Sequence, residues 1–127
     1  MQSTMVKSRH FKEAEFQRCN PPCSLQDMDQ SFMNLLDSIR DLAGIPLVLN
    51  SAYRSVAYDK SKGRSGNGDH PQRKGVDIRC TTSANRYKIL KAAFALNVPR
   101  IGVGKTFIHI GKGASGLPQE VVWDYYE

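Results

Sequence analysis

The longest regular pattern in the sequence is helical, and a helix of this kind needs a second layer to pack against. Between residues 25 and 43 apolar side chains recur every three or four positions, until Gly44 ends the pattern. These side chains are Phe32, Leu35, Leu36, Ile39, Leu42 and Ala43. Ser24 and Asp27 have the spacing of a capping box. The pattern predicts an amphipathic helix over residues 25–43, whose apolar face the rest of the chain must bury.

Short apolar segments elsewhere in the chain predict the strands of the second layer. They lie at residues 47–49, 75–80, 100–103, 106–110 and 121–125. A hairpin turn is predicted at Gly104-Lys105, and a second helix over residues 84–96 with Ser83 as its N-cap. The predicted buried face of this helix consists of Ile89, Leu90, Ala93 and Phe94. Two main helices packed on a small antiparallel sheet place the chain in the α+β class.

The length of 127 residues suits one domain with one hydrophobic core. Residues 1–10 are polar and predict a flexible N-terminal arm, followed by a single domain over residues 11–127. Residues 60–74 are poor in apolar side chains and rich in glycine and proline, which predicts a long loop. Loops of this length are uncommon in compact domains and often carry function.

The charge balance favours polyanionic partners, because 18 Lys and Arg against 12 Asp and Glu give a net charge of +6. The basic segment at residues 60–64 suggests nucleic acid, but no recognition helix or stacking motif accompanies it, so nucleic acid is not the expected partner. No apolar run is long enough to span a membrane. The first ten residues lack the apolar segment of a signal peptide.

The three cysteines do not predict a disulfide framework, since their number is odd and Cys80 lies far from the other two. Cys19 and Cys23 are separated by three residues, a spacing that suggests one half of a zinc knuckle. No second Cys or His pair follows at the required distance, so a structural zinc site is not predicted there.

Two histidines and one aspartate are candidate metal ligands. His70 lies in the predicted long loop, Asp77 on a predicted strand, and His109 at the centre of an apolar strand. Two imidazoles and a carboxylate are ligands typical of catalytic zinc, which keeps a fourth position for water. Spacing alone leaves open that His109 is a hydrogen-bonded core residue. The third histidine, His10, is expected to be solvated.

The order of several segments resembles peptidase family M15, the zinc D-Ala-D-Ala carboxypeptidases and related murein endopeptidases, in particular its small single-domain members. The resemblance covers nearly the whole chain from about residue 9. The resembling segments are His10–Phe16 with Cys19 and Cys23, Ser51–Ser55, His70 with Asp77, Arg100–Gly104, Phe107–Ile110, and Trp123. It implies the fold shared by Hedgehog and DD-peptidase domains.

The resemblance also implies a function. His70, Asp77 and His109 would bind Zn²⁺, and Arg54 would hold the substrate and the developing oxyanion. The implied substrates are peptidoglycan stem peptides, cut at a D-alanyl or an L-alanyl-D-amino-acid bond. Further candidates for contacts to the substrate are Tyr53, Arg73 and Trp123.

Four positions depart from the family's pattern. Gly68, Arg73 and Gly75 stand where the family usually has Ser, Gly and Ala. Thr106 stands where several relatives carry an acidic general base, and a hydroxyl cannot replace it. Candidate replacements for this base are Asp69, which adjoins a ligand, Glu120 and Asp124.

These departures keep two functions open, a zinc peptidase of the cell wall and a zinc-containing domain that binds wall peptides without cutting them. We expect a monomer. Since the sequence has no signal peptide, it is expected either in the cytoplasm until released by phage-type lysis or at the bacterial cell wall.

Overall fold

The computed structural model of the protein describes residues 5–126. Within this range four α-helices and five strands follow one another. In chain order they are α1 (Glu13–Gln17), α2 (Gln30–Ala43), β1 (Leu49–Ser51), α3 (Val56–Ser61), β2 (Gly75–Arg79), α4 (Ser83–Ala95), β3 (Arg100–Val103), β4 (Phe107–Gly111) and β5 (Val121–Asp124). No helix in the described part of the chain is long and apolar enough to cross a membrane.

The five strands form one sheet in the order β1-β2-β4-β3-β5. The first three neighbouring pairs are antiparallel, and β5 runs parallel to β3. The predicted α+β class is therefore confirmed, and the sheet, which was expected to be antiparallel, is mixed. The reason is the connection over residues 112–120, which crosses β3 and returns the chain in the direction opposite to β4.

Alternation along β2 and β4 places the buried aliphatic side chains on one face of the sheet and the charged and aromatic side chains on the other. Val76 and Ile78 of β2, and Ile108 and Ile110 of β4, are fully buried. They pack in the same core as residues of the two long helices, among them Phe32, Met33, Leu36, Ile39 and Ile89. The intervening residues of β2 and β4 face away from the helices, and the predicted metal ligands are among them.

Helix α2 begins later than the hydrophobic pattern predicted. Ser24 and Asp27 do form a capping box, but it caps a short 3-10 turn over Leu25–Asp27. The helix itself begins after Asp29, whose side chain accepts a hydrogen bond from the backbone N–H of Phe32. Because that side chain satisfies a free N–H of the first turn, the helix starts there. Leu42, expected on the buried face, is 57% exposed.

Other predicted boundaries also change. The short helix α3 was not predicted, so the long loop begins at residue 62; Ser55 caps α3 by accepting from Tyr58 N–H. Strand β1 lies two residues later than expected. Thr82 rather than Ser83 caps α4, since its hydroxyl accepts from Asn85 N–H. Phe94, predicted on the buried face of α4, is exposed, and Ala92 is buried in the core instead.

The N-terminal segment lies along α2. The predicted arm over residues 1–10 falls partly outside the described residues. Within them, Asp37 of α2 is buried and accepts hydrogen bonds from Ser8 Oγ at 2.7 Å, Arg9 N at 3.0 Å and His10 N at 3.2 Å. His10, expected to be solvated, pairs with Asp41 at 2.6 Å.

We expect Asp37→Ala to destabilise the protein by about 1–3 kcal/mol, because it leaves donors of the N-terminal segment without their acceptor. Asp41→Ala removes an exposed acceptor of Arg9 and His10 from the same helix and should destabilise the protein much less. Chemical denaturation of both variants measures this difference. Equal losses of unfolding free energy would show that the buried acceptor has no special role.

Candidate metal centre

The three predicted metal ligands converge on the sheet face that is turned away from the two long helices, α2 and α4. Asp77 of β2 and His109 of β4 are direct cross-strand partners. Asp77 Oδ1 lies 3.0 Å from His109 Nδ1 and 3.6 Å from His70 Nε2. One donor atom from each residue lies within 4.8 Å of the others. The loop and the two central strands thus bring together residues that are up to 39 positions apart.

Each imidazole is oriented by a hydrogen bond on its outer nitrogen. His70 Nδ1 lies 2.6 Å from the carbonyl oxygen of Ala52, which can only accept, so this nitrogen donates. His109 Nε2 lies 2.7 Å from a carboxylate oxygen of Asp69 and likewise donates. In the neutral rings the lone pairs are then on His70 Nε2 and His109 Nδ1, the two nitrogens that face Asp77. This arrangement of outer partners is typical of histidine metal ligands, and the residues fit a zinc ion.

The electrostatics of the centre favour a cation between these groups. Burial would raise the pKa of Asp77, but hydrogen bonds with His109 and His70 lower it well below its ordinary value. Burial would lower the pKa of His109, but hydrogen bonds with Asp69 and Asp77 raise it above its ordinary value. The two carboxylates therefore stabilise positive charge at the imidazole, and a divalent ion can supply that charge in place of a proton.

The centre opens into a cavity of about 240 Å³. Apart from the three ligands and two further aspartates, Asp59 and Asp69, its walls combine cationic and aromatic side chains. These are Arg54, Arg64, Arg100, Phe107, Trp123 and Tyr125. The mixture of fixed positive charge and apolar surface suits a small, polar, partly anionic ligand.

Arg54 lines this cavity directly after β1, and its position depends on a residue that the sequence analysis missed. Its Nε lies 3.3 Å from Oδ1 of Asp59, which is 2% exposed and belongs to α3. The other oxygen of Asp59 accepts from Gly66 N–H at 3.0 Å, which ties the long loop to the same carboxylate. The signal that could have revealed α3, and Asp59 with it, is Ser55 as a helix N-cap.

Trp123 of β5 also lines the cavity, and its contact with a substrate stays a prediction. Its ring lies 5.5 Å from the His109 ring, and the Arg100 guanidinium lies over it at 5.0 Å. A Cβ at Gly102 on β3 would come within 2.8 Å of the indole nitrogen. The indole therefore occupies space that only a glycine at that position leaves free.

Two other predicted substrate contacts lie outside the residues that line the cavity. Arg73 places its guanidinium 4.5 Å over the Tyr53 ring and donates a hydrogen bond to the carbonyl oxygen of Asp27. The hydrogen bond connects the long loop to the turn before α2, and the stacking connects it to the segment after β1. Their involvement with a substrate stays a prediction.

None of the candidate general bases offers a free carboxylate to the cavity. Asp69 lines it, but its two oxygens accept hydrogen bonds from His109, Arg100 and Gly113. Glu120 and Asp124 are not among the residues that line it. The prediction that Asp69 is a general base gains no support from this position.

Comparison with known proteins agrees with the geometry. A family model described as Peptidase M15 matches residues 9–111, most of the chain, including Arg54 and the three ligands. Strand β5 with Trp123 lies beyond the match. No curated protein matches the chain. Family M15 consists of metallopeptidases that are generally zinc-dependent, which agrees with the donor set described above. The chain therefore belongs to the peptidase M15 family.

Proposed function

We propose that this protein is a zinc-dependent peptidase that hydrolyses peptide bonds in peptidoglycan stem peptides. The observation that carries the proposal is the donor set of His70, Asp77 and His109. Both imidazoles turn their free lone pairs toward Asp77, because Ala52 and Asp69 hold their outer nitrogens. The family membership supports a peptidase, and the zinc ligands and wall substrate are our inference.

A zinc ion bound by these three residues would polarise the scissile carbonyl and lower the pKa of a bound water to about 7. The protein contributes orientation and charge. Arg54 places a guanidinium in the cavity, where its Nε lies 3.3 Å from a buried carboxylate oxygen of Asp59 without forming a hydrogen bond to it. A fixed positive charge stabilises the negative charge that develops on the carbonyl oxygen in the transition state.

The charges in the cavity support a peptide with a free carboxylate as the substrate. Arg54 and Arg100 are each paired with an aspartate, at 3.3 Å and 3.0 Å. Arg64 lines the cavity and makes no ion pair with a described residue. With zinc offsetting Asp77 the cavity carries net positive charge, and stem peptides carry the carboxylates that such a cavity attracts.

Incubation of the zinc-loaded protein with purified peptidoglycan tests this proposal. We expect new amine termini that depend on zinc and disappear with a chelator. Mass spectrometry of the products separates the two modes, since release of free D-alanine indicates a carboxypeptidase and a new D-amino-acid N-terminus an endopeptidase. If the zinc-loaded protein releases no more than His109→Ala, the peptidase proposal is wrong.

One observation favours a second function, a zinc-containing domain that binds wall peptides without cutting them. Thr106 replaces the acidic residue of several relatives, and each aspartate that lines the cavity is engaged by protein groups. Zinc binding together with affinity for muropeptides and no turnover would select this alternative.

A further inference from the structure

We propose that Asp69 is a positioning residue for His109. Arg100 and three glycines form the receptacle for the Asp69 side chain. The inference rests on the proposed metal site. It gives Asp69 a role different from the proton acceptor considered in the sequence analysis.

The His109 ring lies between two carboxylates, with one at each nitrogen. Asp77 Oδ1 is 3.0 Å from Nδ1, and Asp69 Oδ2 is 2.7 Å from Nε2. Although Asp69 directly precedes the candidate ligand His70 in the chain, its carboxylate contacts the other histidine. A hydrogen bond at Nε2 keeps the proton on that nitrogen, so the lone pair is on the side of Asp77 and His70.

Asp69 is itself held in place from several directions. Arg100 Nε donates to both of its oxygens at 3.0 Å, and Gly113 N–H donates to Oδ1 at 2.8 Å. Arg100 is anchored in turn, since its Nη1 donates to the carbonyl oxygen of Pro118 at 2.7 Å. Because Asp69 is 3% exposed, turning its carboxylate away from His109 would break these hydrogen bonds inside the protein.

The space that the Asp69 side chain occupies exists because three surrounding positions lack side chains. A Cβ at Gly111 would lie 2.2 Å from Asp69 Oδ2, and one at Gly113 would lie 2.6 Å from Oδ1. A Cβ at Gly75 on β2 would lie 2.6 Å from the Asp69 Cβ. Residues from β2, from β4 and from the segment after β4 therefore all leave room for the Asp69 side chain.

These contacts predict how variants should change metal binding. Asp69→Asn keeps the size of the side chain, but one oxygen acceptor becomes an amide that faces N–H donors. Gly111→Ala keeps Asp69 and displaces its carboxylate from His109. We expect zinc to bind both variants about 10–100-fold more weakly than the unaltered protein, the range seen when outer partners of metal-binding histidines are changed.

Gly68→Ala is the matched control. Gly68 adjoins Asp69, and a Cβ built on it meets nothing within 4 Å. We expect this variant to bind zinc like the unaltered protein.

The experiment measures the zinc dissociation constant by competition with a chromophoric chelator, the visible spectrum of the protein saturated with Co²⁺, and the thermal midpoint without metal. A positioning role predicts weaker zinc binding and an altered Co²⁺ spectrum in Asp69→Asn and Gly111→Ala. A purely structural role would lower the thermal midpoint and leave the Co²⁺ spectrum unchanged. If Gly111→Ala fails to fold, the near-isosteric Asp69→Asn still distinguishes the positioning role from a purely structural one.

The outcomes separate this inference from the proposed function. Unchanged zinc affinity and an unchanged Co²⁺ spectrum in Asp69→Asn would overturn the positioning role and leave the peptidase proposal intact. Weakened zinc binding in a protein that cuts no peptidoglycan would support the positioning role and reject the peptidase. If the unaltered protein binds no zinc, both are wrong.

Discussion

The variant His109→Ala is expected to lose stoichiometric zinc and, with it, on the order of 10³-fold or more in peptidase activity. The physical reason is that a Lewis acid stabilises the transition state by several kcal/mol. Each 1.36 kcal/mol of lost stabilisation lowers the rate about tenfold. The loss of the imidazole also leaves Asp69 and Asp77 without the group between them. Metal analysis of the purified variant and a progress curve with peptidoglycan measure the two effects.

The control is His10→Ala, because His10 pairs with Asp41 on α2 and does not line the cavity. It should keep its zinc and its activity. His70→Ala should repeat the loss seen in His109→Ala, since the two histidines share one ion in the proposed site. If either site variant retained stoichiometric zinc, the proposed ligand set would be incorrect.

The second large effect is expected for Arg54→Ala, which should lower kcat by about 10²–10³-fold while zinc remains bound. This is the range found when one donor to a developing oxyanion is removed. Arg54→Lys keeps the charge but not the planar fork of donors, so it should recover only part of the activity. Steady-state kinetics with parallel metal analysis separates this effect from damage to the metal centre.

A stability measurement accompanies the Arg54 experiment, because Arg54→Ala leaves Asp59 buried without its partner. Loss of one partner from a buried pair costs about 3–5 kcal/mol, so denaturation curves must show that the assay samples folded protein. The matched control is Arg18→Ala, at an exposed position after α1. Its unfolding free energy and its activity should equal those of the unaltered protein. Full activity in folded Arg54→Ala would remove Arg54 from the proposed mechanism.

Helix boundaries show where local pattern is insufficient. The apolar spacing predicted one helix from residue 25, and both Ser24 and Asp29 can act as N-caps. Ser24 caps the 3-10 turn, and Asp29 caps α2. The backbone of Asp29 also donates a hydrogen bond to the carbonyl oxygen of Arg73 in the long loop. This hydrogen bond joins distant parts of the chain at the point where the 3-10 turn ends and α2 begins. A local sequence pattern cannot predict it.

The sequence by itself determined which residues of β2 and β4 face the candidate metal centre. Period-two alternation in β2 and β4 turns Asp77 and His109 to the face opposite the buried isoleucines. The short sequence separation between His70 and Asp77 can also be read directly from the chain. Such periodicity is a property of the local backbone, which is why it can be read before any fold is known.

Only the tertiary structure decided what surrounds these ligands. Asp69 and His109 are 40 positions apart in the sequence, and Arg100 of β3 donates hydrogen bonds to the same aspartate. The Arg54–Asp59 pair likewise depended on α3, which packs beside the cavity. A hydrogen bond or ion pair forms when the packing of separate elements brings its two groups within about 3 Å. That proximity is a result of the assembled sheet and loop rather than of any segment alone.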